Sequence, residues 1–309
     1  MAYLIGTVTA AAIYAILALG YNFQLGQAGI FSIAHGAFYG VGAYVTALLC
    51  IDYNTNFWLT LAAGAVGAGV VSIVLGLLGL RVSGDYLVVS SFAFQLIILA
   101  VIVNWPSVTK GSIGVLGVLP PVWASNTTTF MWLCIAAAAV VALICASVAF
   151  SPYGLALRAS RDDPLAAASL GKRVALLRLS IFVFSSGLAG LAGGLYAYYQ
   201  GFISPDSFQV SVSIIVLSMV VLGGLGRISG AILGAIVLVA LPQVIGLIPI
   251  PDTVLGPIQQ MIYGAVLVAI VIIRPQGLLG SIRLRFPGRQ ETQANPDLPA
   301  DQPTMEALS

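Results

Sequence analysis

Nine apolar runs fill most of this chain, near residues 2–21, 28–50, 57–80, 86–104, 129–150, 178–200, 210–225, 230–248 and 256–273. An α-helix needs about 20 such residues to cross a hydrocarbon core of about 30 Å. Lipid offers no partner to an open backbone donor or acceptor, so apolar runs without strand-like alternation fold there as helices. The expected fold is an all-α polytopic membrane protein, a bundle of about nine transmembrane helices. The shorter runs and the glycine-rich stretch from Gly20 to Gly42 suit broken or re-entrant segments, so eight to ten spans fit the pattern. Charged residues make up 7% of the 309, against roughly 25% in soluble domains.

One long segment breaks the apolar pattern. Ser151 to Arg178 holds Arg158, Arg161, Lys172, Arg173 and Arg178 together with Asp162 and Asp163, and must lie in water. Its punctuation predicts a short rigid helix. Asp163 is an N-cap, Pro164 suits the first helical position, Leu165 to Leu170 are helix formers, and Gly171 fits a left-handed stop. The plainer reading is a basic loop that only sets topology.

Basic residues orient the chain. With Ser151 to Arg178 cytoplasmic, alternation places Arg81, Arg227, Arg274, Arg283, Arg285 and Arg289 on the same side and leaves Lys110 alone outside. Nine spans then put the N-terminus outside and the C-terminus in the cytoplasm. Residues 1–285 form the membrane domain with its loop at 151–178, and residues 286–309, polar and proline-bearing, are expected to be disordered.

What the spans lack narrows the chemistry. The acidic residues fall in loops, at span ends or in the tail, so no intramembrane carboxylate is offered to a coupling proton or sodium ion. A pair of facing aspartates, an H-E-x-x-H motif and a P-loop are all missing, which excludes the corresponding membrane proteases and ATP hydrolysis by this chain. Cys50, Cys134 and Cys145 lack metal-ligand spacing, and no basic surface suits nucleic acid. Two classes remain: a passive channel, or a translocation subunit driven from outside through a docking surface such as the short capped helix.

Polar residues inside the spans are few. Asn22, Gln24, Gln27, Ser32, His35 and Tyr39 are placed to line a broken helix, with a packing hydrogen bond the competing role for His35. Gln95 and Asn104 on the fourth span are further candidates, with interhelical bonding the competing role. Small residues recur at packing distance, notably Gly64, Ala68 and Ser72, then Gly187, Gly190 and Gly194, then Gly230 and Gly234.

Five segments in order carry a family resemblance: Asn22 to Leu49, Arg81 to Ile97, the A-A-x-x-x-G core at Ala167, Ala168 and Gly171, GFISPDSF with VVLGGLGRISG (Gly201 to Phe208, Val220 to Gly230), and RPQGLLG (Arg274 to Gly280). The chain resembles the LivM-type permeases of branched-chain amino acid ABC importers and is similar to the related urea and short-amide permeases. The resemblance implies a heterodimer with a second, LivH-like permease in the bacterial inner membrane. It also implies two ATP-binding cassette subunits below, which use ATP and Mg while this chain binds no cofactor, and a periplasmic substrate-binding protein outside. Asp163 to Gly171 would be the cytoplasmic coupling helix, with Arg158, Arg161, Asp162, Lys172 and Arg173 as flanking contacts to the ATPase. The chain departs from the family pattern at Arg161 to Pro164, at Thr109 to Gly114 and at Arg227. A branched-chain or hydrophobic amino acid is the expected solute, with urea or a short amide as the alternative.

Overall fold

The computed structural model describes residues 2–53, 55–81 and 84–245, together with 261, 264, 265 and 268. Eleven helices occupy the described chain: α1 (Ala2–Asn22), α2 (His35–Tyr53), α3 (Phe57–Arg81), α4 (Asp85–Asn104), α5 (Pro106–Thr109), α6 (Thr127–Phe150), α7 (Pro152–Asp162), α8 (Pro164–Ser169), α9 (Val174–Gln200), α10 (Val210–Gly223) and α11 (Ile228–Ile245). Among the described residues, seven helices are long and apolar enough to cross a membrane, and α11 supplies a shorter apolar one. The chain is a multi-pass membrane protein. The ninth expected span, 256–273, the RPQGLLG segment and the tail 286–309 lie outside the described residues.

Three boundaries differ from expectation. The second span begins at His35, not near residue 28, because a single π-helical turn (Phe23–Gln27) ends the first crossing and the chain then unwinds to Ala34. The sixth span begins at Val174, so Arg178 lies one turn inside α9 and not in the loop. The loop itself carries two helices. Its first half, where no helix was expected, is α7, capped by the Ser151 hydroxyl, which accepts from the Gly154 N–H at 3.3 Å, with Pro152 at the first position.

The core is built on close backbone approach. α9 packs along both α2 and α3, which also meet each other directly. A Cβ added at Gly190 would come within 2.5 Å of Ala68 Cβ and 2.6 Å of the Gly64 carbonyl, so the recurring small residues do serve helix contact. Gly223 on α10 and Gly230 on α11 meet in the same way. Buried hydroxyls lock the cluster, with Thr60 and Tyr198 joined at 2.8 Å.

At the face opposite α7 and α8, a two-residue strand β1 (Val115–Leu116) pairs antiparallel with β2 (Phe202–Ile203), tying the segment after α4 to the one after α9. Gly114 and Gly201, both at positive φ, make the turns that bring them together.

Candidate functional site

Two regions gather the polar side chains. The first is the break in the opening helix. Here α2 starts inside the bundle, and its first N–H groups find partners on other helices. The Gly36 N–H donates to Ser213 Oγ of α10 (2.8 Å) and the Ala37 N–H to Gln95 Oε1 of α4 (2.5 Å). Gln95 Nε2 in turn donates to the Phe208 carbonyl (2.8 Å), and the Ile33 N–H donates to Ser91 Oγ (2.9 Å). Ser32 Oγ accepts from the Ala34 N–H. The donors that open every helix are thus satisfied inside the protein. Ser91 and Ser213 take part in this and were not singled out from sequence. Serines on apolar helices carry no local signal for it.

Asn22 and Gln27 look the other way, to the turn between α10 and α11. Asn22 Nδ2 donates to the Arg227 carbonyl (3.1 Å), Asn22 Oδ1 accepts from the Gly226 N–H (2.8 Å), and Gln27 Nε2 donates to the Gly226 carbonyl (3.1 Å). Gln24 Oε1 lies 3.2 Å from Ser185 Oγ, which also faces the Gly20 carbonyl at 2.7 Å.

Several buried polar atoms keep open valences among the described residues: Gln24 Nε2, Gln27 Oε1 and the hydroxyls of Tyr39 and Tyr44, while the His35 ring lies near the Leu17 backbone. Tyr39 stands in an aromatic cluster with Tyr196 (5.4 Å between ring centroids) and Phe208 (5.4 Å), and Tyr44 also reaches Phe208 (5.9 Å). The His35 ring lies tilted against Tyr21, with ring centroids 5.1 Å apart. These side chains form a neutral, aromatic and hydroxyl-bearing cluster packed inside the bundle, with hydrogen-bonding capacity to spare. Among the described residues its members carry no ionised side chain, though Asp206 stands close enough for its charge to act on the Tyr44 hydroxyl.

The second region is the segment between α6 and α9. Asp163 Oδ1 accepts from the N–H groups of Leu165 and Ala166, each at 3.0 Å, and Pro164 opens α8. Gly171 at φ +77° closes it, its N–H donating to the Ala168 carbonyl at 2.9 Å while the Lys172 N–H reaches Ala167 at 3.1 Å. Ala167 faces inward and is buried, whereas Ala168, Gly171, Lys172 and Arg173 are exposed. Leu165 and Leu170 are 83% and 78% exposed. On α7, Gly154, Leu157 and Ser160 form the buried face, and Arg158 is half-buried.

One side chain joins the two regions. Arg161 at the end of α7 extends to the Gly26 carbonyl in the π-helical turn, and its aliphatic stem lies against Gly29, where a Cβ would meet Cγ at 2.8 Å. Gly29 itself sits at φ +68°. The Arg161 guanidinium also lies 3.8 Å from Asp162, which is exposed.

Comparison with known proteins agrees with this architecture. Residues 3–271 match the family described as branched-chain amino acid transport system / permease component. The LivM permease protein of the high-affinity branched-chain amino acid transport system of Escherichia coli (strain K12) is 32% identical over 298 residues, covering 88% of this chain and 68% of the relative. The LivH permease protein of the same organism is 28% identical over 88% of this chain and 93% of its own length. A probable LivH permease of Methanocaldococcus jannaschii is 27% identical over 72% of this chain. No solved structure matches the chain significantly. With a family match over most of its length and relatives of about the same reach, the chain belongs to the branched-chain amino acid transport permease family.

Proposed function

We propose that this chain is the membrane permease subunit of an ABC importer that moves branched-chain or other hydrophobic amino acids across the bacterial inner membrane. ATP and Mg are used by two separate cassette subunits, a LivH-like chain completes the pathway, and an extracytoplasmic binding protein delivers the solute. The observation that carries this reading is α8, a doubly capped helix in the water-facing segment that presents Leu165 and Leu170 almost fully exposed. Large apolar side chains on a rigid, solvent-facing helix suit a partner groove. Asp163 to Gly171 would be gripped there, with Arg158, Arg161, Asp162, Lys172 and Arg173 flanking it. In this reading the segment is cytoplasmic, 256–273 is a further span, and residues 286–309 form a cytoplasmic tail after the 1–285 membrane domain.

The neutral polar cluster inside the bundle suits a net-neutral solute. Tyr39 and Tyr44 offer hydrogen bonds without charge, which suits a zwitterion or a small amide alike, so the binding protein does most of the selecting. Reconstitution with the cassette subunits, the second permease and the binding protein tests the proposal. Leucine uptake that needs ATP is the expected result. Uptake by this chain alone without nucleotide would make it a passive channel.

A further inference from the structure

A cavity of about 170 Å³ lies where the linker after the π-helical turn meets the α3–α4 turn and the start of α9. Gly29, Gly76, Gly79 and Gly84 form much of its wall. Arg178 is the charged residue of the lining. Its Nε is buried and has no hydrogen-bond partner among the described residues, whose one ion pair joins Arg161 to Asp162 instead. Asp85, next to Gly84, is exposed and unpaired with it.

A half-buried guanidinium without a counter-charge is costly, and its planar fork matches a phosphate oxygen pair. The surroundings say which phosphate. From the cavity mouth, α3 carries an exposed apolar stripe of Leu77, Val74, Val70 and Val66, spaced along one helical face. Leu80, also part of the lining, is 39% exposed at the rim. A charged pocket at the end of a span, continuous with a strip of aliphatic surface, has the chemistry of an amphiphile site.

We infer that the Arg178 cavity binds the phosphate of an anionic phospholipid, drawn from the leaflet on the side of α7 and α8, with its acyl chains along α3. The cavity accommodates the phosphate and the stripe takes the chains. Gly29 is shared between this cavity and the stem of Arg161, so the bound headgroup braces the same linker that α7 touches from its other side. The inference rests on the membrane placement of the chain and is independent of what it transports.

Native mass spectrometry of the full-length chain, purified in detergent and offered equal amounts of phosphatidylglycerol and phosphatidylcholine, tests it without any transport assay. The expected result is retention of phosphatidylglycerol with a preference of about fivefold, as one basic side chain near anionic lipid supplies. Arg178→Gln is expected to bring the preference to parity and Arg178→Lys to keep part of it. Should Arg178→Gln fail to fold, Leu80→Trp blocks the mouth while leaving the charge in place, and is expected to lose the lipid as well. An equal lipid preference in the parent and in either folded variant overturns the inference. So does inorganic phosphate alone raising the melting temperature as much as phosphatidylglycerol does, an effect that would assign the pocket to a free anion.

Discussion

Gln95 is buried halfway along α4 and serves two backbone groups at once, the Ala37 N–H and the Phe208 carbonyl. Buried amide groups left without partners cost about 1–3 kcal/mol each, whereas hydrogen bonds between membrane helices average nearer 0.6 kcal/mol because the unfolded chain also finds partners. Both groups sit inside the bundle, away from lipid, so Gln95→Leu is expected to cost about 2 kcal/mol. A fall in the thermal unfolding midpoint in detergent measures it; an unchanged midpoint would show that water replaces the amide. Asn22 and Gln27 teach a related lesson. Their side-chain chemistry was legible in the sequence as polar groups in a broken helix, but their partners at Gly226 and Arg227 lie some 200 positions away, and no local pattern points there. His35 could be singled out as the one histidine, while its contact with the Tyr21 ring depends on how the chain reverses after Gln27.

Among the elements, α8 was the most readable, because a cap, a proline and a left-handed glycine act within a few residues of one another. The helix α7 was missed for the opposite reason: its polar, basic composition reads as loop, and only packing of Leu157 and Ser160 against the spans reveals its buried face. Gly171→Leu has open space around its Cβ, yet must hold φ +77°, a conformation that costs a residue with a side chain about 1–2 kcal/mol. In the reconstituted importer this variant is expected to retain ATP hydrolysis and lose most leucine uptake, measured side by side; normal uptake would show that α8 transmits nothing through its C-terminal turn. Arg161→Ala removes the link between α7 and the Gly26 carbonyl without touching the caps of α8. Contacts that bias a coupled pair of sites are worth up to about 2 kcal/mol, so uptake is expected to fall by about tenfold with membrane insertion intact. Equal uptake by the variant and the parent would make Arg161 a packing residue only.

The molecule as a whole has two unlike faces. One carries the strand pair β1–β2 and the segment after α4, and the other carries α7, α8 and the turn at Gly226. In the proposed topology, read from the positive-inside distribution, the second face is cytoplasmic, and single cysteines test that on the intact chain. Ser125 and Ser169 are both exposed, on opposite faces, whereas Cys134 and Cys145 are buried and Cys50 is partly so. A membrane-impermeant maleimide is expected to label Ser125→Cys in intact cells and Ser169→Cys only after permeabilisation, and the reverse pattern would invert the topology. The tie between Asn22 and the Gly226 turn also has a temporal side. A ribosome adding about 5–20 residues per second needs about 10–40 s to travel from one to the other, and for that interval the first helix is in the membrane with the amide of Asn22 unanswered. Chains halted before Gly224 are therefore expected to be degraded faster in a pulse-chase than chains halted after Ile245. The N-terminal break then works as a completion mark, closed only when the tenth helix has been made.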